Sequence, residues 1–159
     1  MADALLLRTH VVAAALAILI GIAAMAAPKR PRLHPGIGRA YFWTVTAVNL
    51  SGAYLAVADW DRNGWFLSVA ILTQALAVVG WVAGGRPGRT WLTAHAVGMV
   101  GSYVEIWGAF LVNNWIHITG RHGRHSPEAF LIPGAVGAAA LLWLAVGIHR
   151  GRLPRSRRR

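Results

Sequence analysis

The sequence lacks cysteine and holds few acidic residues. Its 159 residues include five Asp and Glu against sixteen Lys and Arg, and charged residues make up 13% of the chain. A typical soluble domain has about 25% charged residues. The absence of cysteine excludes disulfides, thiol nucleophiles, thiolate-ligated metals and iron–sulfur clusters. The chain also has no nucleotide-binding loop, no Ser-His-Asp set and no His-Glu-x-x-His motif, so no motif indicates an enzyme or a catalytic residue.

Long apolar runs dominate the chain, and charged residues interrupt them in short clusters. Hydrophobic residues make up 56% of the sequence. Five runs approach the ~20 residues with which a helix crosses ~30 Å of hydrocarbon. We therefore predict an all-α fold, an integral membrane bundle of five transmembrane helices. The predicted spans cover residues 5–27, 40–58, 65–83, 91–113 and 129–148.

The predicted helices differ in their faces. Each of the first four has one face of small or polar residues, whereas the fifth offers Gly134 and Ala138 as a small-xxx-small pair. Small and polar faces are the ones that helices bury against each other in lipid. We therefore predict a four-helix core with one added C-terminal helix. Residues 1–149 then form a single transmembrane helical domain, and residues 150–159 form a basic cytoplasmic tail.

The basic residues are distributed unevenly between the two ends of the predicted spans. Twelve Lys and Arg lie in the first loop, the third loop and the tail, against four on the opposite side. Since Lys and Arg accumulate on the cytoplasmic side, we predict a multi-pass protein of the cytoplasmic membrane with its N-terminus outside and its C-terminus inside. A net charge of +11 would suggest nucleic acid in a soluble protein, but here it follows membrane orientation. We expect anionic lipids at the basic face, no nucleic acid, and a second membrane protein or further copies of the chain as partners.

Glu105 is the one acid inside a predicted span. Because an ionisable group facing lipid costs ~2.5–3.5 kcal/mol on the lenient insertion scale, we predict that Glu105 faces the bundle interior and meets His10, or Asn49 and Gln74. The opposite face of its helix, with Val104, should face lipid or the fifth helix. One interpretation is a proton-relay or ligand site, and the other is a polar contact that fixes helix register. The predicted intramembrane polar site comprises Glu105, Asn49, Gln74, Ser102 and Tyr103.

Three further side chains are candidate cofactor ligands. His34 and His95 fall near the inner boundary of the predicted bundle, and His10 lies toward the outer side. Two facing neutral imidazoles are what a b-type haem needs, and they also suit a divalent metal with further ligands. The alternative is that the two inner histidines hydrogen-bond loop carbonyls at the interface.

A second histidine group lies in the predicted outer loop, within WIHITGRHGRH. Local histidine clusters can bind zinc or copper, although a regular H-x3-H spacing is missing here. The loop also holds Arg121, Arg124 and two glycines, so a solvated cationic loop is the alternative interpretation. The candidate metal ligands are His117, His122 and His125.

Three segments resemble a known family. LRTHVVAAALAILIG places a histidine at the start of the first span, LHPGIGRAYFWTVTAVNLSGAYLAV contains H-x-x-x-G-R-x-Y followed by Ser-Gly, and HAVGMVGSY contains H-x-x-x-M-x-x-S-Y. They are similar to the bacterial membrane family called domain of unknown function 2306, over roughly residues 5 to 113. Ala96, Val97 and the fifth span depart from that pattern. The positions that the resemblance picks out are His10, His34, Gly38, Arg39, Tyr41, Ser51, Gly52, His95, Met99, Ser102 and Tyr103.

The resemblance implies a fold and three histidines worth testing, but no activity. Our first hypothesis is therefore an accessory or structural membrane protein, or a small-ligand binder within the helix bundle. The second is a haem-b or metal-binding membrane redox protein that uses inward-facing histidines, by analogy with the architecture of membrane cytochromes b. The third is a proton-coupled carrier centred on Glu105, which the lack of an inverted repeat or a broken helix disfavours.

Overall fold

The structure, a computed structural model, describes residues 2–120 and 127–150. Within these residues the chain forms α-helices and no strand, which confirms the all-α class. A short helix lies between the second and third predicted spans. The helices are α1 Ala2–Ala26, α2 Leu33–Ala58, α3 Trp60–Asn63, α4 Phe66–Gly84, α5 Arg89–Thr119 and α6 Pro127–His149.

The chain divides into two compact units, Met1–Ala77 and Val78–Arg159, with the division inside α4. In the first unit α1 packs against α2, and in the second unit α5 packs against α6. Both pairs are antiparallel, because an early residue of one helix meets a late residue of its neighbour. His10 thus contacts Ser51 in the first unit, and Arg89 contacts His149 in the second.

Three helices are long and apolar enough to cross a membrane, namely Ala4–Ala26, Phe66–Gly84 and Arg89–Trp115. α2 has 26 residues, but its Thr, Asn and Ser side chains lower its mean hydropathy. The apolar stretch within α6, Gly134–His149, is shorter. The structure therefore supports a helical membrane protein, while five spans are not confirmed.

Large apolar side chains cover the outer faces of these helices. Leu50 is 68% exposed and Trp143 is 72% exposed. The side chains with the least exposure are mostly small, such as Ala17, Ala77 and Ser102, each at 0%. This pattern fits helices that approach each other through small residues and present large apolar residues to lipid.

Two helices extend beyond their predicted bounds. α2 begins at Leu33 rather than near residue 40, because Pro35 lies in the first turn, where a proline costs no helical hydrogen bond. α5 continues to Thr119 rather than ending near residue 113. The side-chain amides of Asn113 and Asn114 donate to carbonyls one turn earlier, at 3.0 and 2.8 Å, so these polar residues are satisfied inside the helix.

Candidate functional site: histidines at helix contacts

His10 connects α1 to α2 in the first unit. Its Nδ1 lies 2.9 Å from the Ser51 hydroxyl oxygen. The Ser51 hydroxyl also lies 2.7 Å from the Ala47 carbonyl oxygen. When the hydroxyl donates to that carbonyl, it accepts from His10, whose proton is then on Nδ1. Gly52 makes room for the ring, because a β-carbon there would lie 3.1 Å from His10 Cε1.

His95 makes the corresponding contact between α5 and α4 in the second unit. Its Nδ1 lies 2.7 Å from the carbonyl oxygen of Gly80. A carbonyl only accepts, so this imidazole also carries its proton on Nδ1. A β-carbon at Gly84 would lie 2.8 Å from His95 Nδ1, and one at Gly80 would lie 2.7 Å from the backbone nitrogen of Met99. The two glycines therefore let the helices approach closely.

His34 belongs to the first turn of α2, and its side chain reaches the C-terminal end of α1. Backbone carbonyls at that end have no partner within the helix. Its Nδ1 lies 3.2 Å from the Ala24 carbonyl oxygen and 3.5 Å from Lys29 Nζ. The closer partner is a pure acceptor, so we assign the proton to Nδ1. Lys29 donates to the carbonyls of Ala24 and Met25, both at 3.3 Å, and partial burial lowers the pKa of its ammonium group.

The two histidines of the first unit lie at opposite ends of the α1–α2 pair. Ser51, which binds His10, and His34 are separated along α2 by about 25 Å at 1.5 Å per residue. Two imidazoles on one iron have coordinating nitrogens about 4 Å apart. His10 and His34 therefore cannot ligate the same haem, in keeping with the predicted outer and inner positions.

Asn49 and Gln74, two members of the predicted polar site, bind each other in the first unit. The Asn49 amide donates to Gln74 Oε1 at 2.9 Å, and the Gln74 amide donates to the Thr46 hydroxyl at 3.2 Å. Thr46 in turn donates to the Phe42 carbonyl. The result is a hydrogen-bonded chain that ties α2 to α4, and Asn49 is only 8% exposed.

Glu105, Ser102 and Tyr103 lie on α5 in the second unit. Ser102 is completely buried and donates to the Met99 carbonyl at 2.9 Å. Glu105 and Tyr103 are half-buried. Among the described residues Glu105 takes part in no hydrogen bond or ion pair. Val104 contacts Gly137 of α6, as expected for a residue on the opposite face.

Of the three histidines predicted as metal ligands in the outer loop, one lies within the described residues. His117 is exposed in the last turn of α5, while His122 and His125 lie outside the described residues. Residues 2–120 and 127–150 contain no group of three His, Asp or Glu side chains that could hold a metal ion. Neither metal nor haem binding is shown.

Comparison with known protein families agrees with the resemblance found in the sequence. Residues 7–147 match the family DUF2306, described as a predicted membrane protein. The chain belongs to this family. The match extends beyond residue 113 and includes most of α6, so the last helix is part of the DUF2306 domain rather than an addition to it. No curated protein and no solved structure matches the chain.

Two residues at these contacts were missed from the sequence, although both fall within the DUF2306 match. Gly80 and Gly84 form a G-x-x-x-G pattern on α4, a spacing typical of closely packed membrane helices. That spacing is the signal that could have found them. The partner of His95, by contrast, is a backbone carbonyl, for which the sequence carries no signal.

Proposed function

We propose that this DUF2306 protein is a five-span protein of the cytoplasmic membrane with a structural or accessory role, or one that binds a small ligand among its helices. One observation carries the proposal: the imidazoles of His10 and His95 each bind a neighbouring helix through Nδ1. In lipid, close packing and such hydrogen bonds hold helices together, because burial of apolar surface from water is not available.

Five spans require that α2 and α6 also cross the membrane. α2 is long enough, at about 39 Å. Within its predicted span, Asn49 binds Gln74, and Ser51 binds His10 and a carbonyl of its own helix. Once paired, these groups no longer oppose insertion. In α6 the exposed Leu131, Val136 and Leu142 support a lipid-facing helix.

The proposed orientation has the basic ends of the helices in the cytoplasm, where anionic lipids would be attracted to them. The absence of cysteine makes single-cysteine labelling a clean test. With a membrane-impermeant maleimide on intact spheroplasts, we expect labelling of the outer Arg62→Cys and His117→Cys and protection of the inner Arg30→Cys and Gly85→Cys. Labelling of Arg30→Cys and protection of Arg62→Cys would reverse the orientation, and equal accessibility of the two would remove α2 as a span.

The structural role of the histidines can be tested with two replacements at each position. An Asn amide nitrogen occupies roughly the place of the imidazole Nδ1, whereas a Gln amide nitrogen reaches the place of Nε2. If the helix contact is the main role, His95→Asn and His10→Asn should retain stability better than the Gln variants, by about 1 kcal/mol at most. Equal stability of Asn and Gln variants in a denaturation titration would argue against this role.

Haem or metal binding through histidine is the second candidate function. The position of the imidazole proton of His95, on Nδ1, favours it. A proton fixed on Nδ1 by a carbonyl leaves the lone pair on Nε2, which is how proteins orient imidazole ligands. Bound haem would supply one-electron redox chemistry. We would expect a Soret band in the purified protein that both His95→Asn and His95→Gln abolish. Colourless, metal-free protein from haem-supplemented cells would remove this candidate and leave the structural role.

A further inference from the structure

Three arginines gather at one end of the second unit, where the link from α4 enters α5 and α6 ends. The Arg86 guanidinium lies 4.2 Å from the ring centre of Trp91. Arg89 Nη1 donates to the carbonyl oxygen of His149 at 3.2 Å. Arg150 follows His149 directly. The contact between Arg89 and His149 therefore brings the end of α6, and with it Arg150, to the start of α5. All three arginines are exposed.

Among the described residues, no acidic side chain forms an ion pair with this cluster. The acids of the chain are at positions 3, 59, 61, 105 and 128, and none lies in residues 84–90 or after residue 148. In the described part of the chain, the one ion pair between an acid and an arginine joins Arg62 to Asp59, elsewhere in the fold. Since like charges repel, an anion bound among the three guanidinium groups would lower the free energy of the cluster.

The side chains around the cluster indicate the kind of anion. Trp91 is 38% exposed, and tryptophan is enriched at the level of the lipid headgroups. Val82 and Leu92, each about one helical turn from the link, are exposed apolar residues, at 46% and 42%. A ligand that combines a phosphate with acyl chains matches this arrangement, because the planar fork of arginine binds phosphate oxygens in pairs.

We propose that Arg86, Arg89 and Arg150 form a binding site for the phosphate of an anionic phospholipid, whose acyl chains lie against Val82 and Leu92. The proposal rests on the proposed function in so far as α4, α5 and α6 cross the membrane. It names a discrete site and not a general attraction to the basic face. The hydrogen bond to His149 and the contact with Trp91 orient two of the guanidinium groups before the lipid arrives, which lowers the entropy cost of binding.

Native mass spectrometry of the purified full-length chain in detergent tests the site with added phosphatidylglycerol, phosphatidylcholine or inorganic phosphate. We expect retained phosphatidylglycerol in preference to phosphatidylcholine, and no competition from inorganic phosphate at the same concentration. Affinity should fall about fivefold for each arginine replaced by Gln, so about 25-fold for Arg86→Gln/Arg89→Gln. The double Lys variant keeps the charge but loses the planar fork, so it should bind more weakly than the unmodified chain and more tightly than the double Gln variant.

Arg62→Gln is the matched control, because Arg62 is also exposed and lies outside the cluster. The arginines that follow residue 150 are identical in all variants and contribute the same background. An equal loss in Arg62→Gln, unchanged binding in the triple variant Arg86→Gln/Arg89→Gln/Arg150→Gln, or equal competition by inorganic phosphate would each overturn the proposal. Cysteine labelling reports separately on the spans, so a failure of the lipid site is distinguishable from a failure of the proposed topology.

Discussion

Both units have a glycine at a close contact between helices, yet Gly52 of the first unit and Gly80 of the second differ in what they face. In the first unit, a β-carbon at Gly52 would meet the ring of His10 at 3.1 Å. In the second unit, a β-carbon at Gly80 would meet the backbone nitrogen of Met99 at 2.7 Å. The first contact is between a side chain and a helix, whereas the second brings two backbones together.

This difference shows how each pair of helices is held. A side chain can move by a few tenths of an ångström, but a backbone nitrogen moves only if the helix moves. The spacing of α4 and α5 therefore depends on Gly80 itself. In the first unit, the hydrogen bonds of His10 with Ser51 and of Asn49 with Gln74 contribute more, since helix association in lipid uses both close packing and polar contacts.

The largest effect is expected from Gly80→Ala. Overpacking against a backbone costs about 1–3 kcal/mol, and the better helix propensity of Ala returns up to about 1 kcal/mol, so we expect a net loss of about 1–2 kcal/mol. Gly52→Ala should be close to neutral. At Gly108 an added β-carbon would meet no described side chain or neighbouring helix within 4 Å, so Gly108→Ala should be neutral or stabilising. Equal unfolding midpoints of Gly80→Ala and Gly108→Ala in detergent would contradict the comparison.

The links before α2 and α5 offer a second contrast. Arg32 has a φ of 72° and Gly88 a φ of 114°, where a β-carbon costs about 1–2 kcal/mol. Gly88→Ala should therefore destabilise the protein by about 1–2 kcal/mol. Arg32→Gly should stabilise it by about 0.5 kcal/mol, because relief of strain is partly offset by the greater freedom of glycine in the unfolded chain. Thermal melts that move both variants in the same direction would contradict this assignment.

The polar chain of the first unit predicts an intermediate effect. Asn49→Leu leaves the side-chain oxygen of Gln74 without its donor and should cost about 1 kcal/mol. Asn49→Leu/Gln74→Leu removes both groups and should recover most of that loss. A double variant at least as unstable as the sum of the two single variants, measured by denaturant titration, would show that the pair does not act as a unit.

The smallest effect concerns the contact between His10 and Ser51. A double-mutant cycle with His10→Phe and Ser51→Ala should give a coupling of about 0.6 kcal/mol, the average for hydrogen bonds between membrane helices. The Ser51 hydroxyl keeps its bond to Ala47 when His10 is replaced, so the loss is limited. Coupling indistinguishable from zero would leave Gly52 packing as the basis of this contact.

Composition and apolar periodicity were sufficient for several features of this DUF2306 protein. They predicted the helical class, the membrane environment and the positions of His10 and His34 at opposite ends of one helix pair. These features depend on properties of single segments: length, hydropathy and rise per residue. Such properties do not depend on which helices are neighbours, so they can be derived before any tertiary contact is known.

The partners of the polar side chains were decided by tertiary structure. His95 binds the Gly80 carbonyl, a group that every residue possesses, so no sequence pattern could name it. The register between helices also decided that Asn49 meets Gln74, since each helix presents several polar residues on the same face. Likewise, the start of α2 at Leu33 was missed because proline usually ends a helix, whereas Pro35 occupies a first turn whose amides need no helical partner.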